Sequence, residues 1–325
     1  MAAADAHFES PGDACTTSVS AVIPAYNAQA HLAECLASVS EQSGRFTLEI
    51  IVVDDGSRDA TAEIARRHPG VQCITQANAG PSAARNVGIA SARGEFIAFL
   101  DADDLWPAGK LAAQLDVLLQ HPEAALVCGD CRQFDARGRW PRTEYAANGV
   151  GAGGWGSGEL VPQAYSKLLE NNFITTGSVV ARRAMLQEAG GFAEDLRLVE
   201  DLDLWLRMAR RHPIAWCALE CLLRRRHDAN ISGNAEAVAL AYLDVLERHR
   251  KSWGPGDAAA LGVDAGWLES KEYLHLAELA VAKGVRSVAL QRVWRGLAAH
   301  PHPRTLWRSA KTAVKAIVRT SASRA

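Results

Sequence analysis

The first hundred residues alternate short apolar runs with amphipathic stretches. The apolar runs, which are typical of buried strands, cover 19–24, 48–53, 71–75 and 96–100. The amphipathic stretches, whose apolar residues favour helices, cover 30–39, 61–67 and 82–92. Strands and helices that alternate at this spacing form right-handed βαβ units, so the pattern predicts an α/β chain with a parallel sheet.

Polar residues collect where three of the predicted strands end. Pro24 and Tyr26 stand at the end of the first strand, Asp54 and Asp55 follow the second, and the acidic segment 101–104 follows the fourth. Parallel strands bring their carboxyl ends to one edge of a sheet, and ligands bind outside that edge. We therefore expect the functional site there.

The acidic segment allows two interpretations. Carboxylates crowded at a strand end repel one another unless a cation compensates them, and Mg²⁺ or Mn²⁺ bound to a diphosphate would do so. In an extended segment Asp101 and Asp103 would point the same way and face one ion, while Asp104 would cap the following helix. The alternative is an ordinary helix N-terminus rich in acids, because a helical stretch is predicted from 105–107.

The second half of the chain changes character. Helices are predicted at 163–169 and 183–188 and a strand at 175–181; beyond residue 232 the pattern predicts only helices, at 235–248, 271–283, 285–298 and 304–319. Glu200 and Asp201 stand at the start of a further predicted helix, a position where acids are ordinarily capping residues.

Several short motifs, taken in order, resemble the successive signatures of the family 2 glycosyltransferases. They lie at 21–27, 53–57, 84–88, 99–104, 190–192, 200–207 and 225–232. The resemblance implies a GT-A fold, in which a central, mostly parallel sheet binds a nucleotide sugar. It also implies an inverting transfer from a nucleotide-diphosphate sugar, with a UDP-sugar favoured, to a glycan or lipid-linked saccharide in cell-surface polysaccharide synthesis.

The same resemblance assigns roles in nucleotide binding. Pro24 and Tyr26 would pack against the base and ribose, and Asp55 would accept a hydrogen bond from the base, with Asp54 beside it. For Tyr26 the alternative is a buried core tyrosine. For Asp54 it is a turn residue, because Asp-Asp-Gly-Ser is also a favourable turn and cap sequence.

The resemblance further implies a metal and charge site. Asp101 and Asp103 would form the aspartate pair of this fold, with Asp103 the direct ligand of Mg²⁺ or Mn²⁺, and His227 would reach the metal or the diphosphate. Arg85 would neutralise charge near the nucleotide. A solvated or purely structural arginine is the alternative for Arg85, the neighbouring Asn86 has the same two interpretations, and a surface or structural histidine is the alternative for His227.

Transfer to a hydroxyl also needs a base, because the acceptor oxygen is a poor nucleophile until its proton is removed. The resemblance assigns this role to Asp201. Glu200 would bind the acceptor or orient the base.

The expected organisation is a disordered leader at 1–17, a catalytic domain at 18–232 and a helical C-terminal region at 233–325. The glycine-rich stretch 149–158 is either a plain linker or a mobile loop that closes over the donor.

Composition predicts a cytoplasmic enzyme. No apolar stretch reaches the roughly 18–20 residues that a membrane helix needs, and the N-terminus does not resemble a secretory signal. The seven cysteines are scattered as small buried hydrophobes would be in a reducing compartment. The pair Cys128 and Cys131 has zinc-like spacing but lacks supporting histidines, so we do not expect a zinc site.

The C-terminal tail is basic. The last 47 residues contain ten Lys or Arg and no acidic residue. Within 304–319 an apolar stripe runs beside a basic stripe, which predicts peripheral contact with the inner face of the cell membrane. The alternative is that the apolar stripe packs on the preceding helices.

Other function classes fit less well. A nucleotidylyltransferase would carry a glycine-rich loop and a basic residue after its first strand, where this chain has 24–27, Pro-Ala-Tyr-Asn. A non-catalytic nucleotide-binding module would have no need for the acids at 103 and 201. No G-x-G-x-x-G follows the first strand, which excludes a nicotinamide dehydrogenase, and no nucleic-acid recognition element is present.

Overall fold

The computed structural model of the chain describes residues 17–148, 156–226 and 234–318. Residues 1–16 of the predicted leader, most of the glycine-rich stretch and His227 therefore lie outside the described residues, whereas Thr17 belongs to the first strand.

Four strands and three helices alternate at the start of the chain, as predicted. They are β1 (Thr17–Ala25), α1 (Leu32–Ser40), β2 (Phe46–Asp54), α2 (Thr61–Arg67), β3 (Val71–Thr75), α3 (Pro81–Ser91) and β4 (Phe96–Phe99). These strands are all parallel, in the order β3-β2-β1-β4. The predicted parallel sheet is confirmed.

The sheet continues beyond β4 with four further strands, so that eight strands are present in the described part of the chain. They are β5 (Leu126–Asp135), β6 (Gly138–Arg139), β7 (Val180–Arg182) and β8 (Ile214–Arg225). The short β7 lies antiparallel between β4 and β5, and β8 pairs in parallel with β5. Only β6 and β7 run against their neighbours, so the sheet is mostly parallel.

Apolar side chains cover both faces of this sheet. Because successive strand residues point to opposite faces, Val22 and Phe99 join one core cluster, whereas Ile23 and Phe96 join the other. All four side chains are fully buried. A strand buried on both faces reads as a continuous apolar run, which is why these strands were recognisable from sequence.

Helices and one short 3₁₀ turn pack around the second half of the sheet. They are α4 (Lys110–Gln120), α5 (Glu144–Asn148), α6 (Ala164–Glu170), the 3₁₀ turn Thr176–Ser178, α7 (Arg183–Glu188) and α8 (Glu200–Ala209). The chain then passes through β8 into the helical region.

The C-terminal region contains helices and no strand in its described part, 234–318, as predicted. Its helices are α9 (Ala235–Lys251), α10 (Asp257–Ala260), α11 (Ala265–Ala282), α12 (Arg286–Ala299) and α13 (Pro303–Val318). On α9, Val245 and Leu246 join the large core of the sheet domain, whereas Leu274 and Val293 form a small core of their own.

On α13, the apolar stripe predicted from sequence points outward at the positions described. Leu306 is 52% exposed and Val314 is 56% exposed, whereas Thr305, Ser309 and Thr312 are buried. The helix therefore packs through small polar side chains. For Leu306 and Val314, the alternative of packing on the preceding helices is wrong.

Two predicted elements are wrong in detail. Residues 105–107 do not begin a helix, because the backbone of Leu105 pairs with that of Leu223 on β8 in both directions, and α4 begins only at Lys110. The predicted strand 175–181 is largely the 3₁₀ turn, and only its end belongs to β7.

Candidate active site

The ends of β1, β2 and β4 meet at one edge of the sheet, as the sequence predicted. The backbone N–H of Asp55 donates to the carbonyl of Ala25 at 2.8 Å, and that of Leu100 donates to Val22 at 3.2 Å. These bonds hold the polar loops that follow the three strands side by side.

Asp55 organises the loop that leads into α3. Its buried carboxylate accepts hydrogen bonds from the Gln76 side chain at 2.8 Å and from the backbone N–H groups of Ala79 and Gly80 at 2.9 and 2.8 Å. A carboxylate offers about four acceptor positions, so one is left for a further donor. Its predicted contact with a base stays a prediction.

Asp54 has the turn geometry of its alternative interpretation. It is buried, and Oδ1 accepts a hydrogen bond from the backbone N–H of Ser57 at 3.1 Å. Its place in nucleotide binding also stays a prediction.

Tyr26 and Pro24 differ in what they can offer a ligand. Tyr26 is 50% exposed, so it is not a buried core tyrosine. Pro24 is buried within β1, opposite Val53, and the strand continues one residue past it. The exposed ring at this edge is therefore that of Tyr26.

The acidic segment after β4 is a turn rather than an extended strand end. The backbone N–H of Asp104 donates to the carbonyl of Asp101 at 3.0 Å, so the expected alternation that would point Asp101 and Asp103 the same way does not apply. Asp104 does not cap α4 either. Its buried carboxylate accepts a hydrogen bond from the backbone N–H of Arg225 at 2.8 Å and ties the turn to β8.

Like charges crowd this turn. Burial, and then the charges of Asp101 and Asp103, raise the pKa of Asp104 well above its usual range. Asp101 and Asp103 are partly exposed. A cation would relieve this repulsion.

Arg85 joins the acidic turn to α8. Its guanidinium is buried, with Nη2 lying 2.8 Å from Asp101 Oδ1 and Nη1 lying 3.0 Å from Glu200 Oε1. Burial opposes the charge, but Asp101 and Glu200 outweigh it and raise the pKa of Arg85. The guanidinium also lies 5.2 Å from the centre of the Phe192 ring. A solvated Arg85 is excluded.

Asn86, next to Arg85, explains the Gly-Gly-Phe motif. Its side-chain oxygen accepts a hydrogen bond from the Phe192 N–H at 2.8 Å, and its nitrogen donates to the Phe192 carbonyl at 2.9 Å. Gly191 has a φ of +71°, and a Cβ atom there would lie 2.6 Å from the Asn86 oxygen. Only glycine fits this position.

Asp201 stands on the first turn of α8, next to Glu200. The Thr176 hydroxyl donates to Oδ2 at 3.2 Å, and the backbone N–H of Leu202 donates to Oδ1 at 2.7 Å. Burial, followed by the neighbouring charge of Glu200, raises the pKa of Asp201 to about 6. A carboxylate with this pKa is ionised at neutral pH but accepts a proton more readily than an ordinary aspartate, which suits a general base.

Packing and ion pairs fix α8 in place. Trp205 is buried, and its ring centre lies 6.0 Å from that of Phe192 and 6.3 Å from that of Phe99. Asp203 is buried and pairs with Arg207 at 2.8 Å and with His249 of α9 at 3.2 Å.

Sequence reasoning missed three supporting residues. Thr176 gave no signal, because its partner Asp201 is distant in sequence. The pairing of Asp203 with Arg207 is local, but its contact with His249 depends on the C-terminal region. Asn86 was noticed but not placed, although the nearby pair of glycines before an aromatic residue is a usable sign of tight backbone packing.

The acidic turn fits a divalent cation in its chemistry. Carboxylate oxygens are hard ligands that suit Mg²⁺ or Mn²⁺. Among the described residues no group of three or more His, Cys, Asp and Glu side chains could hold an ion by itself. Mg²⁺ commonly takes one or two carboxylates and completes its shell with substrate phosphates, so Asp101 and Asp103 fit an ion that shares its ligands with a diphosphate.

Comparison with known proteins identifies the family. The model described as Glycosyl transferase family 2 matches residues 20–190, just over half of the chain. The chain belongs to this family. The matched range includes the loops that carry Tyr26, Asp55 and Asp101, whereas Asp201 lies beyond it.

Several curated relatives of this family 2 chain are named as glycosyltransferases. An uncharacterized glycosyltransferase of Rickettsia felis is 30% identical over 201 residues, covering 61% of this chain and 31% of that protein. The uncharacterized glycosyltransferase EpsJ of Bacillus subtilis is 32% identical over 192 residues, covering 56% of this chain and 53% of that protein. The aligned part thus spans 31% of the first relative and 53% of the second.

Solved structures share the GT-A fold. Residues 1–349 of S. aureus TarS in complex with UDP-GlcNAc superpose with a TM-score of 0.59 at 18% identity, covering 88% of this chain and 93% of that one. The mannosyltransferase PcManGT from Pyrobaculum calidifontis, in complex with GDP-Man and Mn²⁺, superposes with a TM-score of 0.57 at 19% identity, covering 93% of this chain and 86% of that one. The predicted fold class is confirmed.

A membrane-crossing helix is not found in the described ranges, because none of their helices is both long and apolar enough.

Proposed function

We propose that this family 2 chain transfers a sugar from a nucleotide-diphosphate donor to an acceptor hydroxyl, inverting the anomeric centre. The observation that carries this proposal is the bridge through Arg85, which joins Asp101 at the donor edge of the sheet to Glu200 beside Asp201. The bridge fixes the donor-side loop relative to the helix turn that carries the candidate base, and a displacement reaction depends on such positioning.

Asp201 is the proposed general base. Its carboxylate takes the proton from the acceptor hydroxyl while the oxygen attacks the anomeric carbon, and the bond between that carbon and the diphosphate breaks. A single displacement of this kind converts an α-linked donor into a β-linked product. Glu200, which pairs with Arg85, is proposed to contact the acceptor or to orient Asp201.

Donor binding is assigned to the edge where β1, β2 and β4 end. Tyr26 offers an exposed ring for the base or ribose, with Pro24 behind it, and Asp55 has one acceptor position left for the base. Asp54 and Arg85 complete this nucleotide site. The bound nucleotides of the two solved relatives, UDP-GlcNAc and GDP-Man, support a nucleotide sugar, and we favour a UDP-sugar.

Asp101 and Asp103 are the proposed metal ligands, with His227 as a third candidate. Mg²⁺ or Mn²⁺ bound there would neutralise the charge that builds on the departing nucleotide diphosphate. The Mn²⁺ in the mannosyltransferase complex supports this assignment.

The domain boundary near residue 232 is likewise proposed. The sheet domain at 18–232 would carry the donor site and the base, and the helices at 233–325 would complete it. The burial of Val245 and Leu246 of α9 in the core of the sheet domain supports a region that folds together with that domain.

The acceptor is proposed to be a glycan or lipid-linked saccharide used in cell-surface polysaccharide synthesis, reached at the inner face of the membrane. Support comes from α13, where Leu306 and Val314 are exposed beside Arg308 and Lys311. An apolar stripe flanked by cations suits an anionic lipid surface.

Binding of nucleotide sugars to the full chain tests the donor assignment. Isothermal titration of UDP-, GDP- and dTDP-sugars with Mn²⁺ should give binding for one nucleotide class, and Tyr26→Ala should weaken it about tenfold through loss of base stacking. Tyr273→Ala, on α11, is the matched control. No binding of any nucleotide sugar, or equal binding by Tyr26→Ala, would contradict the assignment.

Membrane contact is tested by co-sedimentation with vesicles that contain anionic lipid. The full chain should bind and a chain ending at His302 should not, with binding weakened by high salt. Equal behaviour of the two chains would exclude α13 as the contact.

A further inference from the structure

Four buried cysteines on β5 and β8 take no part in the proposed reaction. They are Cys128, Cys131, Cys217 and Cys221. Two of them flank an irregularity in β8. Gly129 of β5 pairs with Cys217, but the next residue, Asp130, pairs with Glu220. Residues 218–219 therefore bulge out of the strand and are exposed.

Gly129 makes room for a second sulfur beside Cys217. A Cβ atom on Gly129 would lie 2.2 Å from Sγ of Cys221, which any residue larger than glycine would exclude. The sulfur of Cys221 therefore lies directly over Gly129, whose strand partner is Cys217. The bulge thus brings Cys217 and Cys221, which are four residues apart in the chain, to the same place beside Gly129.

A buried lysine interacts electrostatically with these two cysteines. Lys110, the first residue of α4, is 1% exposed, and its Nζ has no hydrogen-bond partner in the described part of the chain. Its ammonium lies 4.0 Å from the centre of the Trp106 ring. Burial lowers the pKa of Lys110 to about 7, while Cys221 and Cys217 act in the opposite direction. A buried ammonium without a hydrogen bond is costly, and an adjacent thiolate would compensate it.

Cys217 is the sulfur best placed to carry that negative charge. The Cys221 thiol contributes most, and with the Leu219 backbone N–H, the Lys110 ammonium and the Ser157 hydroxyl it lowers the pKa of Cys217 to about 7 in spite of burial. The pKa of Cys221 is raised instead, by its hydrogen bond to Cys217 and by burial. The two thiols therefore differ: Cys217 ionises more readily than an ordinary cysteine, and Cys221 stays protonated.

We propose that Cys217 and Cys221 form a redox-active thiol pair, in which Cys217 attacks a hydroperoxide and Cys221 then closes a disulfide. Nucleophilic thiolates beside a cation and next to a resolving cysteine are the usual arrangement of such sites. Cys217 and Cys221 are themselves buried, so a small oxidant would reach Cys217 when the adjoining exposed bulge at 218–219 opens.

The chemistry balances with hydrogen peroxide as the oxidant. The Cys217 thiolate attacks one oxygen, the O–O bond breaks, and hydroxide leaves and takes up a proton to become water. The sulfur is thereby oxidised to a sulfenic acid. Cys221 sulfur then attacks Cys217 sulfur, the S–O bond breaks, and the oxygen leaves as a second water with the Cys221 proton. Lys110 supplies charge compensation for the first step only.

Peptide mapping of the full chain tests the pair directly. The tryptic peptide 212–224 contains both cysteines, while 111–132 contains Cys128 and Cys131 as an internal control. The full chain is treated briefly with hydrogen peroxide, alkylated and digested. We expect peptide 212–224 to carry no alkyl group and to be lighter than the reduced, unalkylated peptide by two hydrogen atoms. Cys221→Ser should instead leave a sulfenic acid on Cys217 that dimedone traps.

The dependence of the Cys217 alkylation rate on Lys110 distinguishes an activated thiol from ordinary buried thiols. At pH 7.5 Cys217 should react with iodoacetamide about tenfold faster than Cys128, and Lys110→Met should remove most of that difference. If the methionine variant does not fold, the comparison of Cys217 with Cys128 in the unmodified chain still decides. Equal alkylation rates, or a peroxide-treated 212–224 peptide that keeps both thiols, would overturn the proposal.

Discussion

Nη1 of Arg85 lies 3.0 Å from Oε1 of Glu200, although 115 residues separate the two in the chain. The same guanidinium holds Asp101 through its other nitrogen. One buried cation therefore connects α3, the acidic turn after β4 and the first turn of α8. This link sets the distance between the proposed donor site and the proposed base.

Replacing Arg85 with Met should lower both activity and stability. Asp101 and Glu200 would lose their shared partner, at a cost of about 3 kcal/mol in the free energy of unfolding. The value of kcat/KM should fall by about a hundredfold, because the donor and the base lose their alignment. Urea unfolding and steady-state kinetics measure the two effects. The exposed pair of Arg67 and Glu63 supplies the control, since Arg67→Met should cost less than about 1 kcal/mol.

Gly191→Ala should destabilise the chain by about 2–4 kcal/mol. The added Cβ would lie 2.6 Å from the Asn86 oxygen and would also carry a positive φ, so steric overlap adds to backbone strain. Gly70→Ala is the matched control, because Gly70 has a φ of +75° but no atom within 4 Å of an added Cβ. Its cost should be only about 1–2 kcal/mol. Equal losses in the two variants would show that the Asn86 contact is unimportant.

Turnover should require Mg²⁺ or Mn²⁺, and Asp103→Ala should abolish it. The expected loss is at least about a hundredfold, because the charge of the leaving diphosphate would be uncompensated. Asp116→Ala, on the exposed face of α4, should keep full activity. Full turnover in excess EDTA would contradict the metal assignment.

Asp201→Asn should stabilise the fold at neutral pH while removing activity. The pKa of Asp201 is raised from 3.8 to about 6, so the native state binds this proton more tightly than the unfolded state. The free energy of unfolding therefore falls as the pH rises from about 4 through 6, because the folded chain must then give up a proton that it holds more tightly than the unfolded chain does. An asparagine avoids this penalty, and the melting temperature at pH 7.5 should rise by a few degrees, corresponding to about 1–2 kcal/mol. The gain should be smaller at pH 5, where Asp201 is largely protonated in the folded chain. A lower melting temperature of the asparagine variant at pH 7.5 would contradict the raised pKa of Asp201.

The central strands of the sheet were predictable because they are buried on both faces. Continuous apolar runs such as 50–53 and 96–100 leave little choice of structure. The alternation with helices then predicts that the strands are parallel. The stretch at 105–107 was misjudged because its backbone pairs with Leu223, more than a hundred residues away. No local pattern records such a contact.

For the candidate site, the sequence named residues that the structure brings together but did not predict how they contact one another. The family resemblance nominated Asp101, Arg85 and Glu200 as site residues. It did not predict that one guanidinium joins the two carboxylates, because that contact depends on the packing of α8 near α3. The turn at Asp104 was likewise missed, because its partner is the backbone of β8 rather than a nearby helix. Side-chain contacts between distant segments are decided by packing and not by local sequence.

The central claim is that Asp201 removes the acceptor proton, and the kcat of Asp201→Asn tests it most directly. With the nucleotide sugar selected by the binding screen, this variant should retain the donor affinity of the unmodified chain but lose a factor of about 10²–10⁴ in kcat, the usual contribution of a general base. In the unmodified chain kcat/KM should rise with pH through about 6, where Asp201 ionises. An asparagine variant with near-normal kcat would contradict the account.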